Sequence, residues 1–426
     1  MGYTADLIWQ RGEKSVFTRR QFLFTLPVLT ALPRLVLDFE PSQSFTLPNL
    51  RKKPVPPSPT FVYFGTDTQK GVSKGIYLSR FDPASGHLSP PVLAAQTPRP
   101  SFLAISSAVA GHRRLYAANE TSDPAGAITS YLVDPATGAL KQLNQVTSVT
   151  AGPCYVSLDA TGRAAFVANY AGSSIATYRV LPDGTLSQPV ERIDYKDRKF
   201  GTRGPNAARQ DVPHPHSVHL SPDNRFLLVS DLGSDQISIF AVDPGTARLG
   251  PPTFFSNDRP GSGPRHIAFH PNGRWVYSIN ELDSTIDHFL WTTTSSRTDP
   301  QGLLVNAGTP IKTIAPGFPP AKNTAAEVAI SSDGNFLYAS NRGEDSLVVF
   351  AIAESDGALR FMQRIPCGGK TPRHFTLSSD ADEHWLLCGN QDSATVTVFR
   401  RDAGTGKLGG PVQSLPIDSV MYTLFA

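Results

Sequence analysis

One unit recurs along this chain, and it constrains the fold more than any other feature. Its clearest copy is HSVHLSPDNRFLLVSDLGSDQISIFAVD, from His216 to Asp243. His216 to Leu220 alternates, with Val218 and Leu220 apolar, as a strand with one face on a core does. Ser221-Pro222-Asp223-Asn224 predicts a turn, because proline presets φ and asparagine tolerates positive φ. Phe226 to Ser230 is a short apolar run, the pattern of a strand covered on both faces. Gly233-Ser234-Asp235 breaks it, and Gln236 to Val242 alternates again.

The same unit starts at Pro153, Pro264, Ala325 and Pro372, with a looser copy from Ser101. The second predicted strands end at Asn119, Asn169, Asp231, Asn280, Asn341 and Asn390, roughly every 49 to 62 residues, a spacing that suits β-propeller blades. A further, truncated copy comes first: FVYFGT from Phe61, then GIYLSRFDPASGHL from Gly75, with no first strand ahead of it. A propeller that stays open leaves an unpaired sheet edge. Ser419 to Phe425, SVMYTLF, is a lone apolar run after the last copy. It is expected to enter the first blade as its innermost strand; the alternative is a frayed tail. The expected fold is therefore all-β, a seven-bladed β-propeller over residues 61–426, closed by the C-terminal strand.

Composition narrows the partners. Charged residues make up 18% of the chain, the net charge is +3, and no basic stripe with interleaved aromatics appears, so nucleic acid is not expected. Cys154, Cys367 and Cys388 match no zinc spacing, and an odd number does not build a disulfide framework. They read as small buried hydrophobes.

The segment ahead of the repeats divides in two. Over residues 1–40, Thr18-Arg19-Arg20-Gln21-Phe22-Leu23 resembles a twin-arginine export signal, with an apolar run from Phe22 to Leu32 too short to span a bilayer. The alternative is an N-terminal arm. Residues 41–60 are rich in Pro, Ser and basic residues and read as a linker. A genuine signal of this kind implies the periplasm or cell envelope, with no stable membrane insertion after export; without it the protein is cytoplasmic.

Blade geometry locates the chemistry. The first strand of a blade lines the central channel and the second returns beside it, so first-strand starts and second-strand ends share one rim. First-strand starts supply His214 and His216, Arg265 and His266, Arg373 and His374. Second-strand ends supply Asn119-Glu120, Asn169-Tyr170, Asp231, Asn280-Glu281, Asn341-Arg342 and Asn390-Gln391. The other rim receives ordinary turn residues. Arg265, Arg342 and Arg373 around one mouth suit an anion, because guanidinium forks match carboxylate or phosphate. His and Glu supply proton-transfer groups. The chain has no G-x-S-x-G motif, so direct attack by water is preferred to an acyl-enzyme. Three cations and few carboxylates would repel a divalent ion, so neither metal nor cofactor is expected. Several of these residues also have scaffold readings. Asparagine at a strand end caps turns, Asp231 and Asp235 suit loop amides, and His219 and His270 read as structural. His288 and His384 look like surface positions.

From His214 outward the sequence resembles the seven-bladed propeller lactonase family, which includes propeller-type 6-phosphogluconolactonases and the carboxy-cis,cis-muconate cyclase. The resemblance covers roughly residues 61–425. It rests on G-x-N-x-x-R-Q at Gly204–Gln210, PHPH at Pro213–His216, GPRH at Gly263–His266, INEL at Ile279–Leu282, ASNRG at Ala339–Gly343 and TPRHF at Thr371–Phe375. It implies a lactone ring opened by water, or closed in the reverse sense. It also implies a catalytic set of His214 or His216 with Arg265, Glu281 and Arg342, in which Glu281 or the histidine is the base. Asn206, Arg209, Gln210, His266, Asn280, Asn341, Arg373 and His374 are the expected substrate contacts. The expected function is hydrolysis of an anionic sugar-acid lactone, 6-phosphogluconolactonase-like, with a small-molecule lactone as partner. A lactonising cyclase and a non-catalytic binding scaffold are the rival readings.

Overall fold

The computed structural model describes residues 60–107, 111–123, 125–197, 200, 203–256, 259–294 and 300–426. The export-signal reading and the linker reading up to residue 59 fall outside them; Thr60, the last linker residue expected, begins the strand Thr60–Thr66. Within them the chain forms seven antiparallel sheets of four or five strands, arranged as the blades of one propeller. The innermost strands are Val420–Phe425, Pro100–Ile105, Pro153–Leu158, Pro215–Leu220, Pro264–Phe269, Thr324–Ile330 and Pro372–Leu377, from blade 1 to blade 7. Each touches the next, and the last returns to the first.

The ring closes through its C-terminal strand. Val420–Phe425 pairs antiparallel with Thr60–Thr66, placing Phe425 opposite Val62 and Tyr422 opposite Gly65. The opening and closing segments of the described chain thus share blade 1, and no inner edge stays unpaired.

Seven apolar clusters fill the seven spaces between blades. Every sheet is therefore covered on both faces. This is why the second strands are continuous apolar runs: Phe226–Asp231 and Trp275–Asn280 are buried along their whole length. Adjacent blades are also tied by side-chain bonds. Tyr63, Tyr116, Tyr277 and Tyr338 each donate a hydroxyl to the carbonyl of Gly138, Gly184, Gly357 or Gly406 in the following blade. Across the closure, Trp385 Nε1 of blade 7 donates to Pro83 O of blade 1 at 2.8 Å. Those four glycines all have positive φ, so a side chain there would strain the turn that offers the carbonyl.

One surface expectation is corrected. His288 is 6% exposed and stacks on Tyr277 at 4.9 Å. The third strand of a blade lies between neighbours too, so a histidine on it meets the next blade rather than water. His384 is exposed.

Candidate active site

A repeated irregularity shapes the channel mouth. In blades 2 to 5 and 7 the inner strand shifts register by one residue just after its proline, at Pro100/Phe102, Ala168/Asn169 (opposite Pro153), Pro215/Ser217, Pro264/His266 and Pro372/His374. In blade 6 the shift falls between Ala325 and Val328. A bulge turns two successive side chains toward one side, where a regular strand would alternate them. Ser101 and Phe102, Arg265 and His266, Arg373 and His374, and Met421 and Tyr422 accordingly line one recess, together with Cys154 and His216. Blades 4, 5 and 7 supply its polar wall; blades 1 to 3 supply its mainly apolar wall.

Glu281 is the charge centre of the mouth. It stands one residue past the second strand of blade 5 and is 2% exposed. Its Oε2 accepts from Arg265 Nε at 2.9 Å and from Arg342 Nη2 at 3.0 Å, and its Oε1 accepts from Arg209 Nη2 at 2.5 Å. Burial works to raise this carboxyl, but Arg342, Arg265 and Arg209 outweigh it and hold it well below the usual carboxylate range. Burial and Arg342 in turn bring Arg265 down to about 10. A carboxylate held this way anchors the arginines and is a poor proton acceptor.

His216 is differently placed. Its Nε2 lies 3.9 Å from Glu281 Oε2, its buried Nδ1 has no partner, and neither ring nitrogen makes a hydrogen bond among the described residues. Burial, and then Arg265, push it well below the usual histidine range, so the ring is neutral at neutral pH. His214 stands apart from the recess. It stacks on Tyr170 at 4.2 Å, with Nδ1 donating to Tyr170 O and Nε2 against Asp211. Of the two histidines, His216 faces the recess.

Arg373 is the uncommitted cation. It lines the recess, and among the described residues its guanidinium has no hydrogen-bond or ion-pair partner. Arg209, Arg265 and Arg342 share the one carboxylate of Glu281, so guanidiniums outnumber the carboxylate within this cluster.

Three expected substrate contacts are corrected. Gln210, Asn280 and Asn341 have no exposed surface. Gln210 Nε2 donates to Leu232 O and Asp235, bracing the loop that carries Arg209. Asn280 Nδ2 donates to Thr285 and Asp287, and Asn341 Nδ2 to Thr313 O and Ser346. These side chains turn into the scaffold because the chain leaves the strand there and its polar groups need partners. Asn206 is exposed and its side-chain oxygen caps the turn through Ala208 N. His374 lines the recess, yet both its nitrogens are engaged, Nδ1 with Thr423 and Nε2 with Glu327.

Glu327 was not expected. It is 8% exposed, on the inner strand of blade 6, and meets His266 Nδ1 at 3.0 Å and His374 Nε2 at 3.3 Å. Burial pushes its carboxyl up, against the pull of His374 and Arg265. In the sequence it is one acidic residue inside AAEVAIS. The available signal was its alignment with His266 and His374 at the third position of their inner strands. Phe102, which lines the recess with Tyr422, packs at a tilt against Tyr155 and Tyr422, with ring centroids 3.8 and 4.1 Å apart. The space within the recess is small, about 10 Å³, near the size of one water.

The larger hollow, about 520 Å³, lies on the other rim between blades 2 and 3. Its Asp159 is engaged with turn amides and its Arg114 points at a carbonyl. The chemistry is therefore placed at the smaller recess, where charged groups converge. Among the described residues no group of three or more His, Cys, Asp or Glu is arranged to hold a metal. Cys154 borders the recess, but burial pushes its thiol far up and its Sγ is directed at His216 O.

Seven blades closed by the C-terminal strand, with charged side chains converging at one mouth, define a β-propeller with a polar site at one end of its channel. The model of the family described as lactonase, 7-bladed beta-propeller, matches residues 61–425, and the chain belongs to that family. A 6-phosphogluconolactonase of Bacillus subtilis is 31% identical over 346 residues, covering 81% of this chain and 92% of the relative. A 6-phosphogluconolactonase of Formosa agariphila is 32% identical, covering 84% and 96%. The solved structure of a periplasmic gluconolactonase from Pseudomonas aeruginosa superimposes with a TM-score of 0.74 at 32% identity, covering 86% of this chain and 99% of that one.

Proposed function

We propose that this lactonase opens a sugar-acid lactone by direct attack of water, with preference for a substrate carrying an anionic group. The observation that carries the reading is the pairing of His216, whose ring nitrogens have no hydrogen-bond partner among the described residues, with Arg373, a guanidinium that no carboxylate among them occupies. Arg373 receives the substrate's anionic group. His216 takes a proton from water as its oxygen bonds to the lactone carbonyl carbon, and Glu281 at 3.9 Å steadies the imidazolium. Arg265 and Arg342, aimed by Glu281, offer their remaining N–H groups to the oxyanion. The ring C–O bond then breaks, and the leaving alkoxide takes the proton back from His216. This assigns the base to His216 and the anchoring role to Glu281.

The names of the relatives from Bacillus subtilis, Formosa agariphila and Pseudomonas aeruginosa support lactone hydrolysis over ring closure. The Arg19-Arg20 segment and the periplasmic relative support a working site outside the cytoplasm. The test is a substrate panel: glucono-δ-lactone, its 6-phosphate, a carboxylate-bearing lactone and a muconate. Hydrolysis of at least one lactone, lost in His216→Gln, is expected. Turnover of the muconate alone would establish the cyclase reading, and no turnover at all the scaffold reading.

A further inference from the structure

Beneath the mouth lies a second acidic group that the proposed chemistry does not use. Glu327 Oε1 and Oε2 stand 3.2 and 3.0 Å from His266 Nδ1, and Oε2 is 3.3 Å from His374 Nε2. The protonation pattern follows from fixed donors. Thr423 N donates to His374 Nδ1, so that nitrogen is bare and Nε2 carries the hydrogen that faces Glu327. The ionised carboxylate likewise accepts from His266 Nδ1–H, leaving His266 Nε2 bare. Both rings are then neutral, with His374 held in its tautomer by Thr423 N and His266 by the Glu327 carboxylate.

The consequence reaches Arg265. Its Nη1 lies 3.1 Å from His266 Nε2 and 3.4 Å from Nδ1, against the ring, and donates to Ala326 O at 2.5 Å. Its Nε is committed to Glu281. Nη2 is the only edge of this guanidinium with no partner among the described residues. Ala326 and Glu327 thus hold the guanidinium and the ring it rests on from adjacent positions of one strand. A charged His266 would put two cations in contact. The other charged or titratable neighbours of Glu327 are His219 from blade 4, Tyr155 from blade 3 and Tyr422 from blade 1.

We propose that Glu327 is a positioning residue that acts through His266 to aim the free Nη2 edge of Arg265 at the reacting carbonyl. The arrangement is that of a carboxylate orienting an imidazole beside a reacting centre, with the imidazole here supporting a guanidinium. This inference rests on the lactonase reading for its kinetic consequence and on geometry alone for its tautomers.

The test has two arms. Nitrogen-15 NMR of histidine-labelled wild-type protein should show His266 protonated at Nδ1 and His374 at Nε2, both neutral near pH 7. In Glu327→Gln the amide oxygen keeps accepting from His374 Nε2–H, which Thr423 N still fixes, so the amide nitrogen faces His266 and should switch the tautomer of that ring. Where a lactone is turned over, kcat of Glu327→Gln should fall roughly 10- to 100-fold, as losses of supporting contacts do, with KM within about twofold. In an Arg265→Lys background the same change should add less than about threefold. Opposite tautomers in the wild type, or a Glu327→Gln protein with unchanged tautomers and kcat, would overturn the proposal. A variant that only melts earlier, with tautomers and kcat intact, would do the same. If no lactone is opened, the lactonase reading fails by itself while the NMR arm still decides the relay.

Discussion

Arg265 and Glu281 belong to opposite ends of a hairpin, 16 residues apart, yet Arg265 Nε donates to Glu281 Oε2 at 2.9 Å in a place where each is 2% exposed. Arg342 from blade 6 and Arg209 from the loop before blade 4 close on the same carboxylate. Removing Glu281 therefore removes the counter-charge of three guanidiniums at once. Taking one partner from a buried ion pair costs about 3–5 kcal/mol, so Glu281→Gln should lower the unfolding midpoint as well as abolish activity. The pH dependence has a definite sign. The folded value of Glu281 is depressed, so its contribution is fully present above its unfolded value of about 4.5 and is lost as pH falls toward the folded value. The stability gap between wild type and Glu281→Gln, read by urea unfolding, should thus be constant from pH 6 to 8 and narrow below pH 4.5. A gap that widens in acid would contradict the assignment.

His216 is expected to carry the proton transfer. Its substitution by Gln should reduce kcat about 100- to 10,000-fold, with little change in the far-ultraviolet circular dichroism spectrum. Burial and the surrounding cations hold the ring below its ordinary range. The acid limb of kcat/KM should consequently lie below pH 6, leaving the profile level from pH 6 to 8. An inflection near 6.5 that disappears in His216→Gln would show an unperturbed imidazole.

Arg373 should decide between substrates by charge. Because its guanidinium supports no other side chain among the described residues, Arg373→Met should leave the melting temperature nearly unchanged. A hydrogen bond to a charged group contributes about 1.5–3 kcal/mol. KM for an anionic lactone should therefore rise by roughly 10- to 100-fold, and KM for a neutral lactone by much less. Equal losses for both would place the anionic group elsewhere.

The closing strand should be indispensable. Val420, Met421 and Phe425 are buried, and each large-to-small loss in a core costs about 2–5 kcal/mol. Deleting residues 420–426 also opens the inner edge of Thr60–Thr66. Size-exclusion chromatography should find the truncated protein aggregated or unfolded. A monodisperse product with a wild-type melting curve would mean that the ring holds without this strand.

Much of the mouth is legible in the sequence. Arg265, Glu281 and Arg342 are found by position within a repeat, because a strand end is a local property of the hydrophobic pattern. Gln210, Asn280 and Asn341 occupy equally good positions and were misread, since position says nothing about which way a side chain turns. Glu327 was missed for the complementary reason. A lone glutamate in an apolar strand acquires meaning only from His266 and His374, which arrive from the blades on either side.

The order of strands, the seven copies and the candidate closing segment are properties of the sequence alone, since alternation and turn residues act over a few positions. The bulges that turn successive residues into one recess, and the sharing of Glu281 among three arginines, belong to the tertiary structure. So does the choice of His216 over His214. Each depends on where several blades bring their polar atoms relative to one another, and burial then decides which of those atoms keep a charge.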